Sequence, residues 1–214
     1  MKSFFVTLFF ALCCISVTAQ ITFQANWGDE KLVFGKYYYF NEKDSLRIDE
    51  LKFYVSNFHF YGNSKSLELK APQLINLSEN GTTTLFQGQD LTAFQQMDFL
   101  LGLDSVSNTS DDFSGALDPV FGMYWAWNSG YIAFKLIGQS NVITENKSQF
   151  EFHLGGFRNP FYASQTINLA NHSIIFIDLK EILTLQLALK TENHVLLPSK
   201  KAVFLMQKIA TCIH

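Results

Sequence analysis

Several separate runs along the chain either alternate apolar and polar side chains at every second position, the period of a strand with one face in a core, or concentrate strand-forming side chains. Such runs occupy Ile21 to Asn26, Tyr37 to Phe40, Leu51 to Tyr61, Gln73 to Leu77, Phe94 to Leu103, Tyr131 to Gly138, Gln149 to Gly155, Thr166 to Leu169 and Ser173 to Leu179. They are rich in aromatic and β-branched residues, which fit a pleated surface. Turn-forming groups such as Asn26-Trp27-Gly28, Gly62-Asn63-Ser64, Glu79-Asn80-Gly81 and Leu154-Gly155-Gly156 separate them. This spacing predicts an all-β fold, a two-sheet β-sandwich. Behind Pro198-Ser199 the period changes: Val203, Met206, Ile209 and Ala210 recur at three-to-four spacing, which predicts one amphipathic C-terminal helix. No linker, repeat or heptad interrupts the pattern, so residues 20–214 read as one domain.

Two segments break the alternation. From Phe4 to Val17 there is an apolar run with no charge, preceded by Lys2 and followed by the small residues Thr18 and Ala19. That is the form of a signal peptide over residues 1–19, too short for the roughly 20 residues of a membrane span. The reading places the protein outside the cytoplasm, in the periplasm, at the cell surface or secreted, with no membrane span in the rest of the chain. The second segment, Asp104 to Pro119, is rich in Ser, Asp and Asn and too long for a simple hairpin, which predicts a functional or mobile loop. Its Asp104, Asp111, Asp112 and Asp118 lack the regular spacing of a calcium loop and read as solvated acids.

Composition narrows the function. Hydrophobic residues make up 48% and charged residues 16%, so the chain can bury enough apolar surface to fold. A net charge of -3 with no basic cluster argues against nucleic acid as a partner. Cys13 and Cys14 fall in the signal segment, leaving Cys212, which cannot staple its own chain. There is no nucleophile elbow, His-Glu-x-x-His or phosphate-binding glycine pattern, so the chain reads as a non-enzymatic protein.

Three constellations carry candidate chemistry. Gly122-Met123-Tyr124-Trp125-Ala126-Trp127-Asn128-Ser129-Gly130-Tyr131 concentrates aromatic rings beside a methionine. It suits a buried core, a stacking platform for a carbohydrate or other flat ligand, or an oxidisable wall around a redox metal. In Gln149 to Gly156, alternation puts Phe150, Phe152 and Leu154 on one face and Gln149, Glu151 and His153 on the other, so His153 and Glu151 read as an acid/base pair, neighbouring metal ligands or, as is usual when nothing else converges, a surface pair. In Leu51 to Tyr61, the same alternation puts His59 on the face of Leu51, Phe53, Val55, Asn57 and Tyr61, as a core histidine or a copper or zinc ligand. His172, His194 and His214 stand in polar or terminal surroundings and read as solvated.

Several of these runs together resemble the MbnP-like domain family: Leu101-Gly102-Leu103-Asp104, Gly115-Ala116-Leu117-Asp118-Pro119, the aromatic run Gly122 to Tyr131, and Phe150-Glu151-Phe152-His153-Leu154-Gly155-Gly156. Phe53-Tyr54-Val55-Ser56-Asn57 and the helix after Pro198 fit the same pattern, so the likeness runs through essentially the whole chain after the signal segment. The resemblance implies an exported β-sandwich related to copper-binding proteins of methane-oxidising bacteria. In those proteins copper is held by histidines and by a kynurenine made by oxidising a tryptophan, a step performed by a dihaem peroxidase-like partner. Carried to matching positions, it implies His153 as a copper ligand, with Trp125 or Trp127 as the ring oxidised or kept for structure; His59 and Glu151 join the candidates from the strand reading alone. The copper-binding members pair a histidine with the modified tryptophan two residues away and use a His-x-His step, where this chain has Trp125-x-Trp127, Trp127-x-Ser129 and Glu151-x-His153. Copper binding, a copper-free protein with the same fold, and a ligand-binding sandwich all remain open.

Overall fold

A computed structural model describes residues 20–125, 130–143, 148–170, 173–187, 194–195 and 199–214. The signal segment over 1–19, Trp127, His172 and the proline expected to open the last helix lie outside the described residues. The chain begins with β1 (Ile21–Trp27), β2 (Glu30–Lys31), β3 (Tyr37–Tyr39) and the 17-residue β4 (Ser45–Tyr61). It continues with β5 (Ser66–Leu69), β6 (Gln73–Asn76), β7 (Thr82–Leu85) and β8 (Gln96–Leu101). The short helix α1 (Ser105–Asn108) and two single-turn 3₁₀ helices lead to the small hairpin of β9 (Tyr124–Trp125) and β10 (Gly130–Tyr131). Then come β11 (Phe134–Ser140), β12 (Gln149–Leu154), β13 (Gln165–Ala170) and β14 (Ile174–Asp178). The chain closes with α2 (Leu179–Leu187), β15 (His194–Val195) and α3 (Lys200–Thr211).

The expected β-sandwich is what forms. A four-stranded sheet runs β14-β1-β2 with β7 also on β1, and a nine-stranded sheet runs β13-β8-β4-β11-β12-β15 with β3, β5 and β6 on β4. The sheets meet through aromatic rings: Phe23 on β1 stands edge-on to Phe53 of β4 and Phe99 of β8, each at 5.8 Å between ring centroids. Such edge-on contacts add to the burial that drives the two faces together. The helix α3 closes the same core with Ala202, Leu205, Met206 and Ile209, and Ser199 caps it by accepting the Ala202 N–H at 3.1 Å. Its buried stripe therefore includes Ala202 and Leu205, with Val203 and Ala210 at the margin. The helix α2, which the sequence pattern does not predict, starts where Asp178 accepts from Lys180 N at 2.9 Å. No helix among the described residues is long and apolar enough to cross a membrane.

β4 is the spine of the large sheet, and its phase changes twice. Opposite Ile137 and Gly138 the register slips past Asp49, so the inward side passes from Leu46 and Ile48 to Leu51, Phe53 and Val55. Between Ser56 and His59 it slips again, at Asn57, whose φ of 50° is left-handed. Each bulge inserts one unpaired residue and flips every later side chain to the opposite face. Past Asn57 the core residues are therefore Phe58 and Phe60, while His59 and Tyr61 point outward. The sequence expectation that His59 shares the face of Leu51, Phe53 and Val55 is corrected by this bulge.

Candidate functional site

The outer face of the nine-stranded sheet carries the chemistry. Along β12, Phe150, Phe152 and Leu154 enter the core, and Gln149, Glu151 and His153 lie on the other side, as the alternation predicts. Register then sets Lys52 of β4, Lys135 of β11 and His153 of β12 side by side on three adjacent strands. Both lysines reach one carboxylate: Glu50 Oε1 is 3.0 Å from Lys52 Nζ and 3.0 Å from Lys135 Nζ. Burial disfavours the charged form of Glu50, but hydrogen bonds and charge from Lys52 and Lys135 outweigh it and hold its carboxyl below the usual glutamate range. Lys52 also donates to the Phe121 carbonyl at 3.3 Å, tying the sheet to the segment above it. The sequence pattern does not reveal this trio; the Glu50-x-Lys52 step is its local signal, but the pairing with Lys135 is long-range.

That covering segment includes the stretch expected to be a functional or mobile loop with solvated acids. Much of it is exposed, but Asn108 and Leu117 are buried and anchor it to the sheet. Leu103, Leu117, Met123, Trp125, Tyr131 and Ile132 form a second apolar cluster around Tyr54, which projects from the outer face of β4. Tyr54 donates to the Ala116 carbonyl at 3.0 Å and Tyr131 to the Leu117 carbonyl at 2.9 Å, so both buried phenols are satisfied. Asp104 caps α1 through Ser107 N at 2.7 Å and accepts from Asn57 Nδ2 at 2.9 Å. Burial alone would raise its pKa, yet these hydrogen bonds leave it lowered. Asp118 likewise accepts from Val120 N at 2.8 Å. Asp112 accepts from Ser114 N at 3.2 Å, so three of the four acids hold turns, while Asp111 and Asp112 are exposed as expected.

Trp125 belongs to this second core. At 5% exposure, it offers no open ring on which a ligand arriving from solvent could stack. Its indole closes on Gly155: a Cβ built there would lie 3.0 Å from Cζ3 and 3.2 Å from Cη2. Gly155 is two residues beyond His153, so the indole and the imidazole occupy the same end of β12, and His153 Nε2 is a buried atom. Glu151 shares the outer face with His153, and its Oε1 accepts from Gln149 Nε2 at 2.6 Å.

A family model described as MbnP matches residues 16–207. The chain belongs to the MbnP family. Among solved structures, MbnP from Methylosinus trichosporium is similar at a TM-score of 0.57, over 78% of this chain and 77% of that one, with 13% identity. At that identity the likeness is one of fold. No curated protein matches the chain.

Within this MbnP fold the candidate residues do not all converge. Trp125 comes to the His153 end of β12, while Glu151 lies two residues back on the same face with Oε1 held by Gln149. His59 is not at that end: the β4 residue level with His153 is Lys52, two strands over, and His59 lies seven positions further along β4. At about 3.3 Å per residue and 4.8 Å per strand, the two imidazoles are on the order of 20 Å apart, too far to share a metal whose ligand bonds are about 2.0 Å. His194, expected in a loop, is in β15 beside β12, in register with Glu151. Among the described residues no group of three or more His, Cys, Asp or Glu side chains is arranged to hold a metal ion.

Proposed function

We propose that this MbnP-family chain is an exported, non-enzymatic protein that binds copper at the corner formed by His153 and Trp125. One observation carries the reading: the imidazole of His153 sits on the outer face of β12 with a buried Nε2, two residues before the glycine on which the Trp125 indole closes. Imidazole nitrogen is a good copper ligand, and the adjacent Glu151 carboxylate is a second donor on the same face. Two donors are fewer than a tightly held copper ion normally takes, so the described residues fit the metal only in part. When bound, copper would supply redox chemistry beside an oxidisable ring. Conversion of Trp125 or Trp127 to kynurenine by a dihaem peroxidase-like partner belongs to the same proposal.

A copper-free function of the same fold is favoured by a separate observation. Lys135 is the direct cross-strand neighbour of His153, and a cation beside a site raises the cost of binding another. Glu50 offsets part of that charge, but it is shared with Lys52.

Metal analysis of protein isolated from its native host, wild type against His153→Ala, separates the two readings. Copper in the wild type and its loss from the variant support the first. No copper in either, together with unmodified Trp125 and Trp127 peptides by mass spectrometry, supports the second; equal copper in both removes His153 as the ligand.

A further inference from the structure

The second bulge of β4 turns His59 outward between two acids on neighbouring strands. Register sets Glu68 of β5 opposite it on one side and Asp98 of β8 opposite it on the other. Asp98 Oδ1 lies 2.9 Å from His59 Nδ1, and its Oδ2 accepts the Tyr61 hydroxyl at 2.6 Å. A carboxylate anchored in this way only accepts, so it fixes the proton of a neutral imidazole on Nδ1 and leaves the Nε2 lone pair pointing away. On that side stands Glu68, with Oε1 3.9 Å from His59 Nε2. Two donors with metal bonds of about 2.0 to 2.2 Å span at most about 4.2 Å. The observed gap is within that limit and needs only a small side-chain adjustment.

We propose that His59 Nε2 and Glu68 form a surface site for a divalent transition ion of the zinc or copper type, with Asp98 as the positioning residue and Tyr61 holding Asp98. A carboxylate behind a metal-binding histidine is the usual way a protein orients such a ring. His59 and Glu68 are 34% and 55% exposed in their side chains, so solvent has access and water completes the coordination. Lys70 Nζ, 3.3 Å from Glu68 Oε2, occupies the other carboxylate oxygen and leaves Oε1 facing His59. This site is independent of the one proposed at His153.

Zinc titration of the purified protein by calorimetry tests it, with His59→Ala, Glu68→Gln, Asp98→Asn and His153→Ala in parallel. The expected result is one zinc site that is lost in His59→Ala, weakened in Glu68→Gln, weakened about tenfold to a hundredfold in Asp98→Asn and retained in His153→Ala. Because His59 and Glu68 are on the surface, thermal unfolding of those variants should match the wild type. Absence of zinc binding in the wild type, or a site that survives in His59→Ala or is unchanged in Glu68→Gln, overturns the proposal. Failure of copper binding at His153 leaves this result unaffected, so the two sites stand or fall separately.

Discussion

The indole of Trp125 rests on the backbone of Gly155 so closely that a methyl group at Gly155 would stand 3.0 Å from the ring and 2.7 Å from the Tyr131 carbonyl oxygen. The contact ties the β9–β10 hairpin to the end of β12, and through it the covering segment to the strand that carries His153.

Gly155→Ala should therefore overpack this joint. The neighbours are a buried indole and a backbone oxygen, neither of which yields easily, so a loss of about 1 to 3 kcal/mol is expected. Urea unfolding measures the loss, and a changed tryptophan emission in the folded variant would locate it. An Ala variant as stable as the wild type would mean that the joint opens readily.

The left-handed Asn57 sets which way His59 faces. Asn57→Gly should be tolerated, because glycine adopts that backbone without strain. Asn57→Gly and Asn57→Val both lose the side-chain hydrogen bond to Asp104, and Asn57→Val should cost about 1 to 2 kcal/mol more than Asn57→Gly from the left-handed backbone. Equal denaturation midpoints for the two variants would contradict the assignment of the bulge.

Glu50 couples stability to pH. Its carboxyl is held below the usual range by Lys52 and Lys135, so the unfolded chain binds that proton more tightly than the folded one. The stabilisation is fully present above the unfolded glutamate value of about 4.3 and is lost as pH falls through the lower folded value. Glu50→Gln should lower stability at neutral pH by leaving two ammonium groups without their shared carboxylate. It should also flatten the acid limb of a stability–pH curve below about pH 4.3. An acid limb of the same slope in wild type and variant would show that other carboxylates dominate it.

Much of the fold was legible because strand alternation is a local signal. Phe150, Phe152 and Leu154 went inward and Glu151 and His153 outward as their spacing predicts, and the last helix formed behind a serine cap. The aromatic run around Trp125 was recognisable as a unit with a buried core among its readings, but nothing local decided between that and an open platform. Its burial depends on Tyr54, a residue remote in sequence that offers an apolar surface on the outer face of β4. His59 was misplaced because an alternating pattern carries no mark of the extra residue at Asn57.

Residue order determined the period of many strands, the turns between strands, the capped terminal helix, the outward face of His153 and the existence of a rare aromatic run. Tertiary structure decided which of those residues meet. The bulges in β4 are stabilised by pairing with β8 and β11, and one inserted residue reverses every side chain beyond it. That reversal separates His59 from the core and sets it between Glu68 and Asp98. Folding of the covering segment onto Tyr54 brings Trp125 to the His153 end of β12. Both outcomes arise from contacts between distant strands, which local alternation does not encode.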